Sequence, residues 1–155
     1  MRNRFILLLL FVLTLGQASG QAPKMTAKER QDILDYRLTL QRANQLIAAL
    51  PPMTKYVISL PEEVLAKSAN QTTAEQIVDL EKDPKGMAIL KQNGLTAKDY
   101  IVGVPTLRMA LWLAEGVAAS PLVFASPANL AFAKANLAQL QPKWDAADGV
   151  SRPTK

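Results

Sequence analysis

The chain of 155 residues contains no cysteine and no histidine. Without them there is no disulfide, no Ser-His or Cys-His catalysis, no thiolate or imidazole zinc site and no histidine-ligated haem. A general base working near neutral pH would have to be a carboxylate or a lysine shifted by burial. The seven glycines are scattered and form no phosphate-binding loop or dinucleotide fingerprint, and the acidic residues lack EF-hand spacing. No cofactor signature is left. Charge of one sign is also missing as a cluster. The formal charge is +5, but ten basic and ten acidic residues intermingle between Ala27 and Tyr100. No basic face or stripe stands out, so the high isoelectric point is no sign of a nucleic-acid partner.

What is present begins with an N-terminal layout of three parts. Arg2 and Arg4 precede an apolar run from Phe5 to Leu15, and small residues follow at Ala18, Ser19, Gly20 and Ala22. That order is expected of a secretory signal peptide over residues 1–20, cleaved before Gln21 or after Ala22. The apolar run is short for a span of about 20 residues. An uncleaved anchor is the alternative. After cleavage no stable membrane span is expected. A single domain over residues 21–155, ordered roughly from 26 to 144, is of ordinary size. An exported chain without cysteine fits the bacterial periplasm or exterior.

Within that domain, helix signals follow one another closely. Thr26 with Glu29, and Thr72 with Glu75, have the spacing of capping boxes, and Thr96 with Asp99 repeats it. Ser59-Leu60-Pro61-Glu62 reads as a further start, and Asp83-Pro84 and Ser126-Pro127 place proline at the first helical position. Apolar residues at Ile33, Tyr36, Leu40, Ala43, Ile47 and Leu50 lie on one helical face. Either one helix runs from Thr26 to the residues before Pro51-Pro52, or it breaks near Tyr36–Thr39 with Thr39 as a second cap; the break is favoured. Tyr56-Val57-Ile58 is β-branched enough to be extended. Ile77, Val78 and Leu80 are expected inside, as are Met87 and Leu90. Asn93-Gly94 marks a helix end.

The most apolar stretch beyond the N-terminus is Thr96–Ala119. It is apolar on all sides, as a central, buried helix is. Pro105 should kink it, Gly103 easing the bend, and Ser120-Pro121 should stop it. The last helix, with Leu130, Ala133, Leu137 and Leu140 inward, should close at Gln141-Pro142. Trp144 would then fold back as a lid over the bundle. The expected fold is all-α: a compact bundle of about five to seven short helices around that buried, proline-kinked central helix.

Three segments carry a resemblance. Asp35-Tyr36-Arg37-Leu38-Thr39, Gly94-Leu95-Thr96 with Asp99-Tyr100, and Ser126-Pro127-Ala128-Asn129-Leu130-Ala131-Phe132 resemble segments of a group of exported bacterial helical proteins of unassigned function. The resemblance covers most of the chain after residue 20 and implies a secreted helical protein. It brings no catalytic residue with it, and Pro105 departs from its pattern.

Arg108, Trp112 and Glu115 are the candidate ligand-binding residues. Their spacing puts them on one face of the central helix, where an arginine, an indole and a carboxylate could form a small site. The more frequent outcome is that Arg108 and Glu115 pair with other helices or reach solvent while Trp112 fills the core. Asp79, Glu81 and Asp83, or Glu62 and Glu63, converge too poorly on helices to bind a metal. Asn129 and Asn136, seven apart, suggest bonds to a neighbouring backbone. The function expected is that of a non-enzymatic binding or structural protein of the bacterial envelope, its partner an envelope protein or a small apolar ligand. The alternative is an envelope hydrolase using carboxylates alone.

Overall fold

The computed structural model describes residues 25–148. The expected signal peptide, its cleavage site and the chain beyond Asp148 lie outside the described residues. Seven helices make up the fold among the described residues: α1 (Ala27–Asp35), α2 (Leu40–Ile58), α3 (Glu62–Ala69), α4 (Thr73–Glu81), α5 (Pro84–Gln92), α6 (Ala97–Ala114) and α7 (Pro127–Asp148). Among the described residues there is no strand, only an isolated bridge between Ser120 and Val123. The all-α bundle expected from the sequence is the fold observed.

Local signals set most helix starts. Thr26 and Glu29 close a capping box on α1, Thr72 and Glu75 another on α4, and Thr96 and Asp99 a third on α6. Asp83 caps α5 ahead of Pro84. The chain breaks at Tyr36–Thr39, where both ends of the joint are extended and the Thr39 side chain accepts from the Arg42 N–H. Gly94 ends α5 at φ 68°, with Leu95 N–H bonded to Leu90 C=O and Gly94 N–H to Lys91 C=O, each at 3.0 Å. That pair of bonds is a Schellman turn, and it needs the left-handed conformation.

α6 is the centre. Ten of its eighteen residues are buried, and it packs against α1, α2, α4, α5 and α7. Leu107 and Leu111 join Leu46 and Met53 of α2, Leu90 of α5 and Leu140 of α7 in the main core, all under 2% exposed. Ile33, Val102, Met109 and Phe124 form a smaller cluster beneath α1. The helix runs unbroken through Pro105, and the buried Thr106 hydroxyl donates to Val102 C=O at 2.7 Å one turn back. Gly103 has a packing role beside the one expected at the bend. A Cβ there would lie 2.8 Å from Tyr36 Oη, 2.9 Å from Cζ and 3.0 Å from Leu46 Cδ1. Gly103→Ala is therefore expected to destabilise, because overpacking costs about 1–3 kcal/mol and outweighs the ~1 kcal/mol that alanine gains in helix propensity. A lower urea midpoint at unchanged slope would show it.

Several expectations give way, most at prolines. α2 does not end before Pro51-Pro52 but continues to Ile58. Both prolines are exposed, and Met53 and Val57 extend the buried stripe beyond them. Burial of two such side chains, roughly 1.5–3 kcal/mol each, offsets the lost backbone bonds. Tyr56-Val57-Ile58 is thus helical, not extended. Its phenol donates to Asp83 Oδ2 at 2.6 Å, and burial with that bond pushes the hydroxyl up to about 12. Ser59 caps the C-terminus of α2 instead of starting α3, whose N-cap is Pro61 and which has no side-chain cap bond. Val78 faces outward at 44% exposure, leaving the inner face of α4 to Ile77 and Leu80.

α6 stops at Ala114, before Ser120-Pro121. Gly116 at φ 95° forms a second Schellman turn, with Val117 N–H to Trp112 C=O at 2.9 Å and Gly116 N–H to Leu113 C=O at 3.2 Å. Pro142, which is exposed, does not close α7 either. The helix passes it to bury Trp144 at 3% exposure, so Trp144 is a core residue of the helix and not a lid.

Candidate functional site

Arg108 and Trp112 lie one turn apart on α6, as their spacing requires. The guanidinium carbon of Arg108 is 5.9 Å from the Trp112 ring centroid and 5.4 Å from that of Trp144 on α7. Its Nη2 donates to Asp148 Oδ1 at 2.8 Å, with side-chain exposures of only 11% and 14% for the two residues. The Arg108 Nε is buried with no partner. Tyr100 lies in the field of this pair. Burial holds its phenol well above the usual range, Arg108 opposing that shift and Asp148 adding to it.

The sequence thus placed Arg108 and Trp112 correctly on one face but missed the other half of the cluster. Trp144 and Asp148 have the same four-residue spacing as Arg108 and Trp112, and that is the signal that could have found them. Glu115 takes a different place. It is the C-cap of α6, half-buried, and the ion-pair partner of Arg108 is Asp148. Chemically, the arrangement is a tie between α6 and the last turn of α7. The arginine charge is matched by a carboxylate and faced by two indoles. Two surface depressions lie elsewhere: one of about 370 Å³ between α3 and α4, one of about 300 Å³ beside the starts of α1 and α4.

A second cluster gathers the three segments of the resemblance. Asn129 is 2% exposed; its Oδ1 accepts the Leu38 N–H at 3.1 Å and its Nδ2 donates to Tyr36 C=O at 2.7 Å. Tyr36 donates from Oη to Asp99 Oδ1 at 3.2 Å while its ring lies against Gly103. Arg42 reaches both Gly94 C=O at 3.1 Å and Asp99 Oδ2 at 3.2 Å. Asn129 bonds a neighbouring backbone as its type suggested, whereas Asn136 bonds Phe132 C=O of its own helix. These side chains fix the joint between α1 and α2.

The capping-box carboxylates at helix starts are held low, Asp99 and Glu29 in spite of burial. Burial alone would raise Asp99, but bonds from Thr96, the Arg42 charge and the Tyr36 hydroxyl hold it below the usual range. Glu29 is likewise raised by burial, yet bonds from the Thr73 and Thr26 N–H groups, at 2.8 and 2.7 Å, bring it lower. A carboxyl lowered in the folded state stabilises above its unfolded value, and that contribution is lost as pH falls through the folded value. The urea midpoint is therefore expected to hold from neutrality to about pH 5 and to fall below about pH 4.5, less steeply in Asp99→Asn.

Among the described residues no three potential metal ligands of the His, Cys, Asp or Glu type converge, and no helix is long and apolar enough to cross a membrane. Comparison of the chain with protein-family models, with curated proteins and with solved structures finds no match.

Proposed function

We propose that this chain is an exported helical protein of the bacterial envelope that binds a partner or serves structurally, and that it performs no catalysis. The observation that carries the reading is the state of Arg108. Its largely buried guanidinium is paired with Asp148 and faces two indoles, which makes it a fastening between helices. The N-terminal layout and the lack of histidine and cysteine support the same reading. So does the meeting of the three resembling segments at the α1–α2 joint, where their polar side chains work on the fold itself.

The carboxylate hydrolase fares less well. Glu75 and Asp79 share the depression between α3 and α4, but both are held below the usual carboxylate range, Glu75 by its bonds with Thr72 and Asp79 by Lys67 and Gln71. An acid–base pair needs one member raised so that it keeps its proton.

The test is to express the gene with its own N-terminus in a bacterial host, fractionate, and weigh the protein intact and under native conditions. A periplasmic species of the Gln21–Lys155 mass supports export, and a full-length species in the membrane fraction overturns it. Turnover of an envelope glycan by the purified protein, abolished in a folded Glu115→Ala or Arg108→Ala variant, would overturn the non-enzymatic part.

A further inference from the structure

We propose that the outer groove between α3 and α4 is the docking site for a basic, amphipathic helical segment of a partner protein. This inference rests on the reading of the chain as a binding protein. α3 has no buried residue, and polar bonds secure it to α4. Asp79 accepts from Lys67 at 2.8 Å and from Gln71 at 2.7 Å, and Gln76 donates to Ser68 C=O at 3.4 Å. The inner face of α4 is occupied by Ile77 and Leu80, while its outer face presents Val78 between Glu75 and Asp79. Val64 on α3 and Val78 on α4 are 45% and 44% exposed, and Val78 lines the groove. The groove of about 370 Å³ between the two helices has Val78 and Ala74 on its apolar side.

Charge selects the occupant. Residues 59–82 carry five carboxylates, at Glu62, Glu63, Glu75, Asp79 and Glu81, against Lys67 and Lys82. Lys67 is already matched by Asp79. Outside this hairpin, residues 21–155 carry 14 basic and 8 acidic side chains. The hairpin is therefore an acidic, valine-bearing edge on a basic protein. A second copy laid face to face would set carboxylates against carboxylates. A helix with apolar anchors three and four residues apart, flanked by lysine or arginine, matches both the valines and the charge.

The experiment titrates the protein recovered from its host with two synthetic amphipathic helical peptides, one of leucine and lysine, the other of leucine and glutamate. Backbone amide shifts and fluorescence anisotropy are read together. The leucine–lysine peptide is expected to bind saturably, to shift amides within residues 62–81, and to weaken as salt rises. Val78→Ser, at an exposed position that leaves the core intact, is expected to weaken it by about tenfold, which corresponds to about 1.4 kcal/mol. Equal binding of the leucine–glutamate peptide, shifts elsewhere, or no saturation overturns the proposal. Self-association that Val78→Ser abolishes also overturns it, because the groove then belongs to a second copy. A failed titration with export intact removes this groove alone; retention of the full-length chain in the membrane would instead remove the reading it rests on.

Discussion

Asn129→Leu is expected to destabilise the protein by about 4 kcal/mol, although leucine keeps the branching of the side chain. The amide of Asn129 is 2% exposed and satisfies two backbone groups at once, the Leu38 N–H and the Tyr36 C=O. Leucine fills the space but leaves both groups buried without a partner. Each orphaned group costs about 1–3 kcal/mol, whereas the native bonds are worth less than that when counted alone. For a domain whose whole stability is roughly 5–15 kcal/mol, this is a large share. The measurement is the urea midpoint, together with hydrogen exchange at Leu38. A loss under about 1 kcal/mol, with Leu38 still protected, would mean that the joint closes by other bonds. Asn129→Asp keeps the acceptor for Leu38 but faces the Tyr36 carbonyl with a buried negative charge, and should be no milder than leucine.

Arg108→Met is the second large effect, at about 3 kcal/mol. Methionine retains much of the apolar stem that lies between the helices, so the loss isolates the guanidinium. Removing it strands the Asp148 carboxylate at 14% side-chain exposure and takes the cation from beside two indoles. Breaking a buried pair from one side typically costs about 3–5 kcal/mol, discounted here because the pair is not fully sealed. Tryptophan emission and near-ultraviolet circular dichroism should both change, since Trp112 and Trp144 flank the missing charge. Asp148→Asn keeps an oxygen to accept from Nη2 and should cost less than Arg108→Met. If Arg108 were held open for a ligand, Arg108→Met would leave stability unaltered, and that result would return Arg108 and Trp112 to the list of binding residues.

How much of this could be read in advance depends on the range of each cause. Capping boxes at Thr26, Thr72 and Thr96, the Asp83-Pro84 start and the Gly94 end were all legible, because each is decided within a few residues. The prolines were misread for the same local reason. Pro51-Pro52 and Pro142 look like terminators until Met53, Val57 and Trp144 are seen to be buried beyond them. That error carried over to the site. With α7 expected to close at Gln141-Pro142, Trp144 and Asp148 had no helix on which to face Arg108. Val78 shows the complementary failure, since its periodicity is compatible with the core, but it lines the open groove toward α3 and stays 44% exposed.

The joint between α1 and α2 also sets an order in time. A chain made from its N-terminus delivers α1, the joint and α2 first, yet the groups that fasten the joint are 63 to 93 residues further on. Asp99 must arrive before Tyr36 has its acceptor, and Asn129 before the Tyr36 and Leu38 backbone is sealed. Until then the first two helices can coil but cannot fix their angle to each other. The protein closes backwards, its opening elements locked by nearly its last helix, so a nascent chain stopped before Asn129 would have its helices without their arrangement.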